Sequence, residues 1–251
     1  MPLLAALVLP VLVHLQAEPK WTNMFNGKDL SGWTPKIKGY KLGDNFGKTF
    51  RVVNGVIQVN YDGYGGEFKE RFGHLFYKSK FSSYIMRLEY RFTGEQCPGG
   101  PGWAWRNSGV MVHGQDPKTM RLDQDFPVSA EVQLLGGQST GERTTGNLCT
   151  PGTNVVREGK LWTPHCLNSK SETFAGDVWV KAEIEVHGTG EVIHRINGKE
   201  VMRYEQVQYD PNDANGKTLI KEGKLLIKEG TISLQSESHP CEFRNLQIRK
   251  I

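Results

Sequence analysis

Polar side chains with hydrogen-bonding groups recur two residues apart at several points of the chain. The pairs are Glu89 with Arg91, Glu131 with Gln133, and Gln235 with Glu237, and the segment 107–113 adds Asn107 and His113. Residues two apart on a β-strand lie on the same face of a sheet. Carboxylate, guanidinium and amide groups make directional hydrogen bonds to hydroxyls. A sheet face built from them is suited to a carbohydrate.

A solvent-exposed outer face is the alternative interpretation for each of these residues, because such a face is also polar. Solvent faces are usually rich in Lys and Thr, whereas these segments carry Glu, Arg, Gln, Asn and His. Trp103 and Trp105 have the same spacing and would share a face if their segment is extended. Their rings could stack on pyranose rings, and the alternative is that both anchor the core.

Alternation of apolar and polar residues predicts the strands that would position these groups. In 177–187 the apolar positions are Val178, Val180, Ala182, Ile184 and Val186. Asn-Gly at 54–55 and at 197–198 indicates tight hairpin turns, since it accepts positive φ at both central positions. No stretch of ten or more residues keeps a helical period. The pattern predicts an all-β fold, an antiparallel two-sheet β-sandwich.

Long segments rich in glycine and proline interrupt the predicted strands at 62–73, 94–102, 136–159 and 209–223. Loops of this length without their own periodicity tend to be functional. Apolar strands resume on both sides of each, so we expect them to form rims around one face of the sandwich.

Composition limits the class of partner. The chain has 251 residues, is 37% hydrophobic and carries a net charge of +4. That charge is small and dispersed, which argues against a nucleic-acid partner. The length permits one large β domain.

The first residues differ from the rest of the chain. Residues 3–15 are almost continuously apolar and are followed by small and polar residues. A run this short is typical of a secretory leader rather than of a membrane span, although a buried N-terminal helix is the alternative. We therefore predict a signal peptide over 1–17, a single domain over 18–251, and export to the periplasm or the exterior. No second apolar run follows, so no stable membrane span is expected in the mature chain.

Four cysteines follow the predicted leader, and an even number in an exported chain favours disulfides. Cys149 and Cys166 flank a Pro/Gly-rich loop and are the preferred pair, which leaves Cys97 with Cys241. A zinc site needs closely spaced pairs of ligands, and the cysteines do not have that spacing.

An ordered set of segments resembles one family, the 3-keto-disaccharide hydrolase domain, which includes 3-keto-glucoside 1,2-lyases and 3-keto-2-hydroxyglucal hydratases. The segments are FNGKDLSGW at 25–33, YIMRLEYR at 84–91, NSGVMVH at 107–113, EVQLLG at 131–136, 190–198, ISLQSE at 232–237 and EFRNLQI at 242–248. The resemblance covers essentially the whole mature chain. It implies a jelly-roll sandwich of the concanavalin A-like lectin/glucanase type.

The resemblance also implies a chemistry. A keto group at C3 of a sugar acidifies the proton on C2, so the glycosidic oxygen on C1 can leave by elimination through an enolate. Water then adds to the 2-hydroxyglycal, which gives net hydrolysis. Such a site needs a base near C2, an acid for the departing oxygen, and a cation or metal to hold the enolate. A divalent metal ion is therefore an expected cofactor, with no ligand set identified.

On this resemblance, Glu131 and Glu89 are the candidate base and acid, and Arg91 is the electrostatic partner. Three amides would orient hydroxyls and two further groups would support proton transfer. The amides are Asn107, Gln133 and Gln235, and the proton-transfer groups are His113 and Glu237. Many relatives carry Arg in place of His113 and His in place of Glu237. The alternative for Glu89 and Arg91 is a structural ion pair.

Two functions follow from the sequence. The first is an enzyme that cleaves 3-keto-glycosides, with an oligosaccharide or glycoside as its partner. The alternative is a non-catalytic, lectin-like module that binds carbohydrate, because this fold class serves both roles. The enzyme hypothesis requires the candidate residues to converge in one concave groove.

Overall fold

The computed structural model describes residues 20–138 and 140–251. The predicted signal peptide, residues 1–17, lies outside the described residues. Within them the regular secondary structure is almost entirely β-strand. The strands of the first half are β1 (Thr22–Asn23), β2 (Trp33–Ile37), β3 (Phe50–Val53), β4 (Val56–Val59), β5 (Gly73–Tyr77), β6 (Ser83–Phe92), β7 (Asn107–Gly114) and β8 (Ala130–Leu135).

The second half continues the same architecture and adds one short helix, α1 (Gly216–Leu219). Its strands are β9 (Asn147–Cys149), β10 (Thr153–Arg157), β11 (Lys160–Trp162), β12 (Cys166–Leu167), β13 (Val180–His187), β14 (Glu191–Ile196), β15 (Lys199–Tyr209), β16 (Thr231–Ser236) and β17 (Cys241–Lys250). Single 3₁₀ turns lie at Phe46–Lys48, Asp62–Tyr64, Gly102–Ala104 and Pro117–Thr119.

The strands form two antiparallel sheets. A seven-stranded sheet has the order β12-β9-β8-β7-β16-β5-β2, and a ten-stranded sheet has the order β11-β10-β15-β14-β13-β6-β17-β4-β3, with β1 added on β17. Many neighbours in the sheets are far apart in the chain, as in β6 beside β13 and β17. The predicted antiparallel two-sheet sandwich is confirmed.

One apolar cluster joins the inner faces of the two sheets. In β6, Met86 and Leu88 are buried at 0% and 2% exposure, and in β8 Val132 and Leu134 are fully buried. These residues alternate with polar ones, so each strand packs one face against the core and turns the other face away from it. Burial of apolar side chains on both inner faces therefore fixes which residues point away from the core.

Local sequence patterns explain most strand boundaries. The Asn54-Gly55 and Asn197-Gly198 turns both have positive φ at their two residues, as the hairpin pattern predicts. The strand predicted over 177–187 begins only at Val180. Val178 lies outside it and is 47% exposed. Gly176 has a φ of 76°, which turns the chain just before the strand.

One of the two predicted disulfides is present in the structure. Cys149 and Cys166 are disulfide-bonded and lie directly opposite each other on β9 and β12. Cys97 and Cys241 are free, buried thiols, so the second predicted pair is wrong. Cys241 points into the core at the start of β17, and burial raises the pKa of its thiol to about 12. Cys97 lies in the 93–101 loop, where its N–H donates to the Ser238 carbonyl.

No helix among the described residues is both long enough and apolar enough to span a membrane.

The number of free thiols tests the assignment of one disulfide and two free cysteines. Alkylation of the unfolded, unreduced protein should label two cysteines per chain, Cys97 and Cys241, and peptide mapping should find Cys149 joined to Cys166. Replacing both bridged cysteines by Ala should lower the free energy of unfolding by about 3 kcal/mol, since the bridge closes a loop with a separation of 17 residues. An unreduced protein that takes up no label would contradict the assignment.

Candidate active site

The candidate site lies on the face of the seven-stranded sheet that points away from the core, which we call the site face. Its centre is formed by β7, β8 and β16. Val110, Val132 and Leu234 on these strands point inward to the core, so their neighbours point to the site face. Asn107, Glu131, Gln235 and Glu237 are polar, yet their exposures are 2%, 6%, 0% and 3%.

A cavity of about 330 Å³ opens on the site face, and we call it the site cavity. Its floor is polar, and its walls come from the loops around the sheet. It is lined by Trp103, Asn107, Phe126, Glu131, Gln133, Cys149, Pro151, His165, Cys166 and Glu237. The volume falls in the range of about 300–1,000 Å³ that is usual for small-ligand pockets.

The carboxyl of Glu131 on β8 lies next to Gly109 on the neighbouring strand β7. A Cβ added at Gly109 would lie 2.6 Å from Oε1 of Glu131 and 3.1 Å from Oε1 of Gln235. No side chain fits there without moving the carboxyl, so the missing side chain at Gly109 lets Glu131 lie beside Gln235. The Gln235 amide lowers the pKa of this carboxyl somewhat, but burial dominates.

Glu131 and Glu237 form a coupled pair of buried carboxyls. Burial raises the pKa of Glu131 to about 8. The pKa of Glu237 is raised well above its usual value, first by burial and then by the charge of Glu131. Two carboxylates in a low-dielectric site repel each other, so they do not both ionise near neutral pH. The pair therefore holds at least one proton there.

Several buried polar atoms on the site face find no hydrogen-bond partner within the protein. They are Oε1 of Glu131, Oε2 of Glu237, Oδ1 of Asn107, and both amide atoms of Gln235. A buried polar group without a partner costs about 1–3 kcal/mol. Glu131, Glu237 and Asn107 line the site cavity, whereas Gln235 is fully buried beside Glu131 and does not line it. Unpartnered polar groups at one cavity are the arrangement expected of a site that completes its hydrogen bonds with a polar ligand.

The side chains of Gln133 and Asn107 each make a hydrogen bond within the protein. Oε1 of Gln133 accepts from Nδ2 of Asn147 at 3.1 Å, and Nδ2 of Asn107 donates to the Trp103 carbonyl at 3.4 Å. Both residues line the cavity.

His74 is a site-face residue that the sequence analysis missed. It is fully buried in β5, directly opposite Gln235 on one side and Lys36 on the other. Burial and the charge of Lys36 lower its pKa to about 3, so the ring is neutral. Nζ of Lys36 donates to the carbonyls of Ile37 and Leu122, both at 3.1 Å. In the sequence, His74 lies in the short segment 73–77. Polar and apolar residues scarcely alternate there, so the pattern gives little indication of the face on which His74 lies.

Glu89 and Arg91 are not part of this site. They lie on β6 of the ten-stranded sheet and point away from the core on the opposite side of the sandwich. An oxygen of Glu89 lies 2.7 Å from Nη2 of Arg244, and Nε of Arg91 lies 2.7 Å from an oxygen of Glu242. Alternation predicts which face of a strand is polar, but not to which sheet the strand belongs. The expectation of one groove is wrong for these two residues.

His113 also lies away from the cavity. It is 2% exposed near the end of β7, and burial lowers its pKa to about 4. Its backbone packs against Gly230. It shares the site face with Gly109 but lies four residues further along the strand, a distance of roughly 13 Å.

Trp103 and Trp105 do not share a face, contrary to the expectation for an extended segment. The segment is not extended, because a 3₁₀ turn at Gly102–Ala104 turns the side chains apart. Trp103 is 55% exposed, lines the cavity and stacks on Phe72 at 5.8 Å. Trp105 does not line it and packs against His239 at 5.9 Å. Of these two tryptophans, Trp103 is the one placed to stack on a ligand in the site cavity.

Within residues 20–138 and 140–251, no group of three or more His, Cys, Asp or Glu side chains is arranged to hold a metal ion. Glu131 and Glu237 supply two carboxyls, and their raised pKa values favour protons there. These residues do not fit the divalent ion suggested by enolate chemistry, and we assign no step to one.

The carboxyl pair predicts a pH dependence of stability. The Glu131 carboxyl ionises near 4.5 when unfolded and near 8 when folded, so its contribution is complete below 4.5 and is lost as the pH rises through 8. Since one pKa unit corresponds to about 1.4 kcal/mol, the loss should be a few kcal/mol. Chemical denaturation across this window should show a shallower decline for Glu131→Gln, while Glu89→Gln follows the wild type. Equal slopes for the wild type and Glu131→Gln would contradict the burial of an ionisable pair.

Comparison with solved structures shows what the fold is similar to. A "Putative glycosyl hydrolase" from Parabacteroides distasonis is 17% identical with a TM-score of 0.54, over 92% of this chain and 100% of the other. A protein of unknown function with a galectin-like fold from Bacillus subtilis is 11% identical with a TM-score of 0.56, over 92% and 94%. At these identities the likeness concerns the fold. No curated protein matches.

The sequence profile of one family matches residues 20–249, nearly the whole described chain. That family is named for a carbohydrate-active lyase, which agrees with the carboxyl and amide groups that line the site cavity. The chain belongs to the family of 3-keto-alpha-glucoside-1,2-lyase-like domains.

Proposed function

We propose that this protein is an enzyme that cleaves 3-keto-glycosides, by elimination across C1 and C2 followed by hydration. The observation that carries the proposal is the pair of buried, coupled carboxyls, Glu131 and Glu237, in a cavity lined with amide groups. Family membership supports the same substrate class.

The pair supplies the base and the acid that the elimination needs. In the singly protonated form of the pair, which forms as the pH rises towards 8, one carboxyl is ionised and the other is protonated. The ionised carboxyl of Glu131 takes the proton from C2, the electron pair forms the C1–C2 double bond, and the C1–O bond breaks. The carboxylic acid of Glu237 gives its proton to the departing oxygen. Glu237 therefore takes the role of acid that the sequence analysis gave to Glu89.

Hydration reverses the proton movements. Water adds to C1 of the 2-hydroxyglycal, a carboxylate of the pair removes its proton, and C2 regains a proton from Glu131. The sum of the two steps consumes one water and releases the free 3-keto sugar and the leaving alcohol. A base whose pKa lies near the ambient pH is well matched to both directions of proton transfer.

No Lys or Arg lines the site cavity among the described residues. Hydrogen-bond donors must therefore stabilise the negative charge on the enolate oxygen. The amide of Gln235 lies beside Glu131 and has no partner within the protein. Gln133 and Asn107 present further amides on the floor. Preorganised donors in a water-excluded site can stabilise developing charge strongly. We assign this role to the amides in place of Arg91.

A lectin-like module remains the second candidate. The exposed ring of Trp103 over a polar cavity favours sugar binding, whether or not chemistry follows. The two functions separate in one assay, because binding alone requires no proton transfer. Incubation with a 3-keto-disaccharide, with and without divalent metal, should release free sugar. If no sugar is released under either condition, the enzyme proposal fails.

We also infer that residues 18–251 act as one exported domain. The apolar core that runs between the two sheets and the Cys149–Cys166 bridge support this inference. N-terminal sequencing of the protein recovered outside the cytoplasm should begin at Glu18, and a protein that keeps residues 1–17 would contradict it.

Replacement of the carboxyls tests their roles. Glu131→Gln should lower kcat by about 10²–10⁴-fold, the range for general acid–base catalysis, and should leave sugar binding largely intact. Glu237→Gln should lower kcat by a similar factor with a leaving group of high pKa, and by less with a good leaving group such as nitrophenolate. Glu89→Gln is the matched control and should keep wild-type kcat. Loss of activity in Glu89→Gln with activity retained in Glu131→Gln would contradict the assignment.

Gly109 provides a separate test. Gly109→Ala would bring a methyl group against the Glu131 carboxyl and the Gln235 amide, so kcat should fall by at least tenfold with little change in secondary structure. Gly102→Ala is the control, because a Cβ there meets nothing within 4 Å. Steady-state kinetics with a 3-keto-glycoside measures both variants, and equal kcat values for them would contradict the packing described.

A further inference from the structure

A second cavity, of about 390 Å³, adjoins the site cavity, and we call it the acidic cavity. The two cavities share Phe126, Pro151 and His165 in their linings. The two cavities are therefore adjacent, and Glu131 and Glu237 line the site cavity. The unpartnered, deeply buried oxygens of these two residues mark the site cavity as the reacting part.

Three loops meet to form the acidic cavity, and specific contacts hold them together. Nη1 of Arg121 donates to Oδ1 of Asn215 at 2.5 Å. The N–H of Asp210 donates to the Gly152 carbonyl at 3.0 Å, and the N–H of Thr150 donates to the His165 carbonyl at 2.9 Å. Together with the Cys149–Cys166 bridge, these contacts fix the walls relative to the sheet.

The lining of this cavity is polar and mostly negative. Its carboxylates are Asp123, Asp125, Asp210 and Asp213. Arg121 is the lining residue with a permanent positive charge, and it lies 3.2 Å from Asp123. Lys38 pairs with Asp125 at 2.7 Å from outside the cavity. Gln124, Asn215 and Thr163 add amide and hydroxyl groups to the lining. A net excess of carboxylates repels anions and still accepts hydrogen bonds from hydroxyls.

We propose that the acidic cavity binds the leaving group of the substrate and selects an uncharged, hydroxyl-rich one, such as a hexose, over an anionic one, such as a uronate. The inference rests on the proposed function. The keto sugar must contact Glu131 and Glu237, so the group attached through C1 can extend from the site cavity into the adjacent acidic cavity.

Three substrates test the proposal: a methyl 3-keto-glucoside, a 3-keto-disaccharide with a glucose leaving group, and one with a glucuronate leaving group. We expect kcat/KM for the glucose compound to exceed that for each of the other two by at least tenfold. Thr163→Trp, which fills the acidic cavity, should reduce the glucose-to-methyl ratio to less than threefold. Thr22→Trp, on β1 of the other sheet, is the matched control and should keep the ratio.

A separate double variant tests whether the acidic cavity selects a neutral leaving group by charge. Asp123→Asn with Asp213→Asn removes two charges and keeps the acceptor that caps the backbone N–H groups of Asn215 and Gly216. The preference for glucose over glucuronate should then fall to less than threefold. Equal kcat/KM for all three substrates in the wild type would overturn the acidic cavity as a leaving-group site while leaving the proposed function intact.

Failure to cleave any of the three would instead count against the proposed function, and the acidic cavity is then tested by binding. Titration of isotopically labelled protein with millimolar glucose should shift the backbone amide resonances of Gly152, His165 and Asn215, and glucuronate should not shift them. The Thr163→Trp variant should lose these shifts. No shift with glucose, or the same shifts with glucuronate, would overturn the proposal.

Discussion

Two carboxyl groups that share a buried, low-dielectric cavity cannot both carry a charge near neutral pH, and this constraint organises the site. Burial raises the pKa values of both Glu131 and Glu237, and the charge of Glu131 raises that of Glu237 further. The same constraint gives the pair two chemical states at once, a base and an acid. Elimination beside a ketone needs both in one place.

The rest of the fold keeps that pair buried but accessible to a ligand. Alternation along β8 places Glu131 on the opposite side of the sheet from Val132, which belongs to the core. The loops that carry Trp103 and Phe126 cover the site face, so outward-pointing polar residues are buried without being in the core. Gly109 leaves the space that lets the Glu131 carboxyl lie beside Gln235. The disulfide holds the opposite wall in place next to Glu131, whose neighbour on β9 is Cys149.

The sequence predicted the fold better than the site, and particular residues show why. Alternation in β13 and the Asn197-Gly198 turn are local signals, and the structure confirms both. Local signals do not determine which strands become neighbours, so Glu89 on β6 and Glu131 on β8 looked equivalent although they lie on different sheets. The same limit explains the wrong pairing of Cys97 with Cys241, which counting alone suggested. Glu237 was recognised through the pattern of Gln235, but its coupling to Glu131 depends on the packing of β16 and β8 on either side of β7.

The protonation state of the pair is the most direct test of this account. Side-chain carboxyl carbons of Glu131 and Glu237, assigned by NMR with single Glu→Gln variants, can be followed from pH 4 to pH 9. The account predicts that at least one of the two carboxyls stays protonated at pH 7, with the Glu131 resonance changing near pH 8. Titration of both carboxyls near 4.5, the ordinary value, would contradict it.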